Sequence, residues 1–297
     1  MQETHSVTSD EEIWQKEWGN IIYFCHGTSA SRGVAILVPH NFEIFVTDLK
    51  HDSEGRLLLL DCTIEGNSFI LLNIYAPTKD KVEMQNVFLS YLHSVIENYS
   101  DKNIILGGDF NVCLNPVMDK HGGRSEVKSE YCKNLENIIE EFSLVDIWRL
   151  RNEKVMNFTR RERTKGGFVQ SRIDYWFTSN CIQYVVKNTC IKPGYGSDHS
   201  ILTLQIELLQ TQKRGRGIWK FNNNLLNDSK YVEMVKQTIS NVLQEVHFEN
   251  KNLEWEYLKC QIRTDTMVYA GEKAKKQRTK EIDLQNRLEF LEQNLKK

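Results

Sequence analysis

Proline is scarce in this chain, with four residues at 39, 77, 116 and 193 and none beyond. Glycine thins out at nearly the same place: 13 of 16 precede residue 210, and after Gly217 only Gly271 remains. A long tract without either breaker excludes a turn-rich β architecture there and reads as helix. The seven cysteines (25, 62, 113, 132, 181, 190 and 260) are scattered, odd in number and without a CxxC pair. That pattern speaks against a zinc site or a disulfide framework, and for buried thiols in a reducing compartment. No apolar run approaches the roughly 18 residues of a membrane span, and no secretory signal opens the chain. The expectation is an intracellular protein with no membrane partner. Charge of one sign is also missing, the net being -2. That balance hides three basic clusters: Arg160, Arg161, Arg163 and Lys165; Lys213, Arg214 and Arg216; and Lys273 to Lys280. Each reads either as a solvated face or as an attractor of phosphate.

What is present divides at the same boundary. Over residues 1–209, short apolar runs alternate with turns and amphipathic stretches. "RGVAILVP", "RLLLLDCTI" and "SFILLNIYAP" are separated by turn residues such as "HDSEG" and "EGNS", and read as neighbouring strands joined by hairpins. Residues 79–99 carry a helical stripe of Met84, Phe88, Leu92, Val95 and Ile96, and residues 129–142 a second one. "NIILGGD", "SRIDYWFTS" and "HSILTLQIEL" add three more strands. Strands with helices outside them suggest a layered α/β sandwich. Residues 210–297 read as a basic helical extension, with Leu284, Leu288, Leu291 and Leu295 in a heptad spacing too short to define a coiled coil.

Five places carry residues with chemistry. In "NIILGGDFNVCLNP" an apolar strand ends on Asp109, with Asn111 two residues on. Alternation along a strand would put both on one face and Phe110 behind them. The same residues are also ordinary turn chemistry. Asp174 interrupts the strand "SRIDYWFTS", where an unpaired acid is costly; a structural ion pair with Arg172 or an edge-strand charge would account for it. Asp198 and His199 stand on a glycine-containing turn before a strand, and Asp174 could orient the His199 imidazole. Glu3 is either an exposed acid or a ligand for a hard cation. Tyr75 ends a buried strand in "NIYAPT", which aromatic propensity alone would explain.

Each feature is weak by itself, but their order is not. "QETH", "NIYAPT", "GGDFNVCLNP", "SRIDYWFTS" and "SDHSILTL" resemble, in order and spacing, the motifs of the endonuclease/exonuclease/phosphatase superfamily. Within it the sequence is similar to the apurinic-like endonuclease domain of LINE-type non-LTR retrotransposons, with "HGTSASRGVAILV" and "WKFNNNLLND" resembling segments of that branch.

The resemblance implies a four-layered α/β sandwich of two packed mixed sheets flanked by helices, DNase I-like, over 1–209. A divalent cation, Mg²⁺ or Mn²⁺, is implied as cofactor. Glu3 matches the metal-binding glutamate and Asp198 a further acid near the metal. Asp109 matches the activator of the attacking water, Asn111 the holder of the scissile phosphate, and Tyr75 a phosphate contact. Asp174 matches the partner of the catalytic His199. Arg160, Arg161, Arg163 and Lys165 fall where related enzymes have a DNA-contacting hairpin, with Lys120, Ser171 and Arg172 as further DNA contacts. The implied function is a phosphodiester hydrolase that nicks DNA to prime target-site reverse transcription, acting in the nucleus, with a reverse transcriptase in cis beyond 210–297. The alternatives are a non-catalytic nucleic-acid-binding remnant and a phosphatase of the same superfamily. The family pattern has an asparagine-bearing strand before its glutamate that this sequence does not contain, so an N-terminally truncated copy, with Glu3 on a fraying end, is expected.

Overall fold

The computed structural model of the chain describes every residue except 124–127, 165–166, 195, 209–218, 246–249 and 295–297. By its contacts the chain divides into two compact units, Met1–Thr211 and Gln212–Lys297. The first opens with helix α1 (Glu11–Trp18), then strands β1 (Ile22–Cys25), β2 (Val34–Leu37), β3 (Phe45–His51), β4 (Leu57–Ile64) and β5 (Asn67–Tyr75). Helix α2 (Val82–Glu97), β6 (Ile104–Asp109), α3 (Pro116–Asp119), β7 (Lys120–His121), α4 (Glu130–Glu141), β8 (Leu144–Asp146) and α5 (Ile147–Arg151) follow. The unit continues with β9 (Arg160–Thr164), β10 (Gly167–Ser171), β11 (Asp174–Ser179), β12 (Val186–Lys192) and β13 (Ile201–Ile206).

A six-stranded mixed sheet in the order β3-β4-β5-β6-β11-β8 forms the centre. Its faces separate by the two-residue period of extended chain. Leu57 and Leu59 of β4, with Ile70, Leu72 and Ile74 of β5, point to one side. There they meet Phe88, Leu92 and Ile96 of α2 and Leu135 and Ile138 of α4. The alternate residues point to the other side. Leu58 packs with Cys25 and Val34 of the β1–β2 pair, and Cys62 and Phe69 pack with Leu204 and Ile206 of β13. The second sheet layer is therefore made, among the described residues, of two antiparallel pairs, β1–β2 and β12–β13. With helices outside the sheets, the architecture is the expected layered α/β sandwich. A third small sheet, β7-β10-β9, carries the basic hairpin.

Local signals set the helix starts. Asn115 caps α3 by accepting from Val117 N and Met118 N, with Pro116 at its first turn. The hydroxyl of Ser129 caps α4 and the carboxylate of Asp146 caps α5. Three expectations need correction. "RGVAILVP" is β2 and pairs with β1, not with β4. The neighbour of β4 is β3, whose polar and exposed side chains gave no strand alternation to read. Of the cysteines, Cys25, Cys62 and Cys132 are buried, but Cys181 and Cys260 are exposed.

The second unit contains α6 (Ser229–Glu245) and α7 (Lys251–Asn294). Tyr231 and Tyr269 pack at 5.4 Å between ring centroids, and the Tyr231 and Thr266 hydroxyls lie 2.8 Å apart in the buried seam. Lys273 pairs with Asp228 at 2.6 Å. Leu284, Leu288 and Leu291 are exposed; Leu295 and the cluster Lys213, Arg214 and Arg216 lie outside the described residues. No helix among the described residues is long and apolar enough to cross a membrane.

Leu59 is fully buried between the central sheet and α2. Leu59→Ala leaves a cavity there and should lower the unfolding free energy by about 2–5 kcal/mol, read by urea denaturation followed by circular dichroism.

Candidate active site

Three neighbouring strands end side by side. Tyr75 of β5 is in register with Asp109 of β6, and Asp109 with Asp174 of β11. The even positions Leu106 and Phe110, like Tyr175 and Phe177, belong to the helix-covered core. Tyr75, Asp109 and Asp174 therefore occupy one row on the opposite face, where β1–β2 and β12–β13 lie. Two glycines permit this spacing. A Cβ on Gly108 (φ 144°) would sit 2.0 Å from the Ile74 carbonyl oxygen, and one on Gly107 would meet the Trp176 ring at 2.2 Å. They serve strand and ring packing, not the substrate approach that the sequence suggests.

Asn111 arrives by a different route from strand alternation. The strand stops at Asp109, and Asn111 adopts a left-handed φ of 53°. Its backbone N donates to Asp109 Oδ1 at 2.8 Å and its side-chain Nδ2 to the Ala76 carbonyl at 2.8 Å. The turn reading of "GDFN" is correct, and the turn itself sets Asn111 beside Asp109. Phe110 is fully buried, edge-on to Tyr175 and Phe177.

Glu3 reaches the row from the start of the chain. The Tyr75 hydroxyl donates to its carboxylate. It does not sit on a fraying end: Ala35 N donates to Met1 O at 3.0 Å, and Gln2 bridges to Val34. His199 Nδ1 donates to Asp174 Oδ2 at 2.9 Å, since a carboxylate there can only accept. The Asp174 backbone is held in turn by the buried Thr159 hydroxyl, which accepts from Ile173 N and Asp174 N. Gly194 makes room for this segment, because a Cβ there would lie 1.9 Å from the His199 carbonyl oxygen.

Asp198 stands apart, its side chain 57% exposed and its carboxylate 3.3 Å from Arg160 Nε. That contact joins the basic hairpin to the site, as do the bonds from Arg161 N to the Asp198 carbonyl and from Ser200 N to the Thr159 carbonyl. Arg163 is exposed on β9, Arg161 donates to the Ser200 hydroxyl, and Lys165 lies outside the described residues. Lys120 and Ser171, both half-buried, pair across β7 and β10. Arg172 is not a DNA contact in this structure. It is 1% exposed, clamped by Asp119 at 2.8 Å and Asp146 at 2.7 Å, and lies over the rings of Trp148 and Tyr175. A buried guanidinium needs such partners, and Arg149 completes the cluster on Asp119.

Sequence reasoning missed Asp119, Asp146, Arg149, Thr159 and Tyr175. The Tyr175 hydroxyl accepts from Leu114 N at 3.0 Å and so fixes the loop after Asn111. Arg56 is also new: it is buried, with its guanidinium 5.4 Å from the Tyr75 ring centroid. Partners this far apart in sequence leave no spacing signal.

The electrostatics follow from burial beside like charge. Burial, then the Asp174 charge, pushes the Asp109 carboxyl up to about 7. Burial opposes charging His199, but Asp174, Asp109 and Asp198 outweigh it and raise the imidazole to about 9. Asp109, Asp174 and His199 offer atoms within 4.8 Å of one another, and Glu3 adds its charge to Asp109. A site with three carboxylates and one imidazolium has surplus negative charge and hard oxygen donors. It fits a divalent cation such as Mg²⁺ or Mn²⁺.

His199 titrates higher when folded than its ordinary value of 6.5. Its pair with Asp174 therefore stabilises the fold fully below about pH 6.5, and this contribution disappears as pH rises through about 9. In cation-free protein the loss should be on the order of 2–3 kcal/mol. Asp109 adds a fall at lower pH, between its ordinary value and about 7. His199→Gln should flatten the pH 7–9 portion, measured by urea denaturation in EDTA at pH 6 and pH 9.

Comparison with known proteins shows what the chain is similar to. The profile of the endonuclease-reverse transcriptase family matches residues 69–203, a span that includes Tyr75, Asp109, Asn111, Asp174, Asp198 and His199 but neither Glu3 nor Arg56. The chain is 32% identical over 239 residues to the transposon TX1 uncharacterized 149 kDa protein of Xenopus laevis, covering 80% of the chain and 18% of that protein. It is 28% identical over 173 residues to an exodeoxyribonuclease of Streptococcus pneumoniae, covering 53% of the chain and 61% of that enzyme. The chain thus spans less than two thirds of either relative. An AP endonuclease from Archaeoglobus fulgidus has the same fold, with a TM-score of 0.54 at 19% identity over 70% of this chain and 88% of the other. Over residues 69–203 the chain is thus similar to the endonuclease-reverse transcriptase family, and over most of its length to a transposon protein.

Proposed function

We propose that the chain is a divalent-metal-dependent DNA endonuclease that nicks one strand and leaves a 3′-hydroxyl. The observation that carries this reading is the in-register row Tyr75, Asp109 and Asp174, capped by His199 and joined to a basic hairpin. Glu3 is the residue that would hold Mg²⁺ or Mn²⁺ beside this row. Bound there, the cation supplies positive charge to the scissile phosphate.

The chain's own residues account for the remaining chemistry. Asp109, in register between Tyr75 and Asp174, is placed to accept the proton of an attacking water. His199, raised to about 9, is charged at neutral pH and donates to a phosphate oxygen, with Asp174 fixing its ring. Asn111 has a second amide proton for the phosphate beyond the one given to Ala76, and the Tyr75 hydroxyl is placed to contact the same group once released by Glu3. As water oxygen bonds to phosphorus, the bond to the 3′ oxygen breaks and that oxygen takes up a proton.

The hairpin favours polymeric DNA over a phosphomonoester. Arg160, Arg161 and Arg163 on β9 are linked to the Asp198–Ser200 segment, so backbone phosphate bound there is aligned with the catalytic row. Such contacts position DNA without reading bases. In the cell this reading places the chain on nuclear DNA, priming reverse transcription by a polymerase module in cis.

Incubated with supercoiled plasmid and Mg²⁺, the protein should produce nicked circles, and EDTA should stop the reaction. Asp109→Ala and His199→Ala should each lower the rate by roughly 10²–10⁴-fold. Nicking absent from wild type, or equal in all three proteins, overturns the reading and leaves a binding remnant. Arg163→Ala should weaken duplex binding alike for all sequences and reduce the slope of log affinity against log salt by about 1, measured by fluorescence anisotropy.

A further inference from the structure

Near Glu3, four side chains form a hydrogen-bonded relay that the catalytic row does not use. The Glu11 carboxylate can only accept, so His26 Nε2, at 2.7 Å, carries the ring proton. Its Nδ1 is hydrogen-bonded to the Ser6 hydroxyl at 3.1 Å. The Ser6 and Thr4 hydroxyls are hydrogen-bonded in turn, 2.9 Å apart. The imidazole is held flat by Phe24, stacked at 5.1 Å, and Trp14 closes on Phe24 edge-on at 5.7 Å. A serine, a histidine and a glutamate in line look like a nucleophilic triad. Ser6 is 1% exposed, however, and no substrate can reach its hydroxyl.

The backbone shows what the relay is for. Glu3 and His5 both adopt left-handed φ values, 50° and 51°, which non-glycine residues keep only where their surroundings over-determine them. Thr4, between them, is pinned three ways. Its N donates to the Gly33 carbonyl at 3.1 Å, its hydroxyl enters the relay, and Gly33 leaves space that a Cβ would fill, 2.3 Å from Thr4 Oγ1. His5 N donates to the Arg32 carbonyl at 2.9 Å. The turn that aims the Glu3 carboxylate at Tyr75 is thus locked from behind by Ser6, His26 and Glu11.

We infer that Glu11, His26, Ser6 and Thr4 form a positioning relay that preorganises Glu3 as a cation ligand. His26 and Ser6 touch neither the cation nor DNA; they set the angle at which Glu3 meets them. The inference rests on the cation site proposed above. Outer partners of this kind change metal affinity about 10–100-fold when removed.

The test is Mn²⁺ binding to the full chain, followed by the loss of the free-ion electron paramagnetic resonance signal, with duplex affinity in EDTA measured in parallel. Ser6→Ala and His26→Ala should each weaken Mn²⁺ binding roughly tenfold and leave EDTA duplex affinity unchanged. Glu11→Gln keeps an acceptor oxygen for His26 and should bind nearly as wild type. Ser6→Ala removes one small buried oxygen, so the question stays answerable if His26→Ala does not fold. Wild-type Mn²⁺ affinity in Ser6→Ala and His26→Ala, with weakened binding in Glu3→Gln, overturns the relay and leaves the cation site standing. Wild-type affinity in Glu3→Gln overturns the cation site itself, and the relay's purpose with it.

Discussion

The register of β5, β6 and β11 is the constraint on which the site depends. It sets Tyr75, Asp109 and Asp174 abreast on one face of the central sheet. A slip of one residue in any of the three strands would turn its polar end toward the helix-covered core. Hydrophobic alternation guards against that slip, because Ile70, Leu72, Ile74, Ile104, Leu106, Tyr175 and Phe177 all belong to the cluster under α2 and α4. The close approach of Gly108 to the Ile74 carbonyl holds the parallel pair at the one point where a side chain would force it apart.

A second constraint is a buried charge cluster next to the row. Asp119 is fully buried and receives both Arg149 and Arg172, while Arg172 also reaches Asp146. The backbone follows the side chains: Arg172 N donates to the Asp119 carbonyl at 2.7 Å, and Ser171 pairs with Lys120. The cluster ties α3, α5 and the small hairpin sheet to the start of β11. Breaking one partner of such a buried pair generally costs about 3–5 kcal/mol, since it leaves an uncompensated charge. The hairpin's arginines therefore sit on a base as firmly held as the acids they flank.

Burial and charge act in opposite ways on the two titrating groups of the site. Asp109 is pushed toward its neutral form by burial and the neighbouring Asp174. His199 is drawn toward its charged form by the carboxylates around it, against the effect of burial. One opening thus holds a carboxylate that can take a proton near neutral pH and an imidazole that can give one.

The sequence alone determined most of the elements and which candidate residues stand at the strand ends. Short continuous apolar runs in "RLLLLDCTI" and "SFILLNIYAP", bounded by turn residues, mark strands covered on both faces, and helical stripes in α2 and α4 mark the faces laid on them, so the layered sandwich was legible. The five strand-end motifs were legible because each packs its chemistry into a few consecutive residues. β3 was not, since its side chains face solvent and leave no apolar period. Nor was the fate of Arg172, whose partner Asp119 lies 53 residues away, or the relay from Glu11 through His26 to Ser6. Asn111 shows the division most plainly. Its presence beside Asp109 is written in the sequence, but its left-handed turn is fixed by bonds to Asp109 and Ala76. Local periodicity specifies which face a residue takes; only the closed sheet decides which distant side chains share it, because hydrogen-bond and charge partners are chosen by three-dimensional proximity.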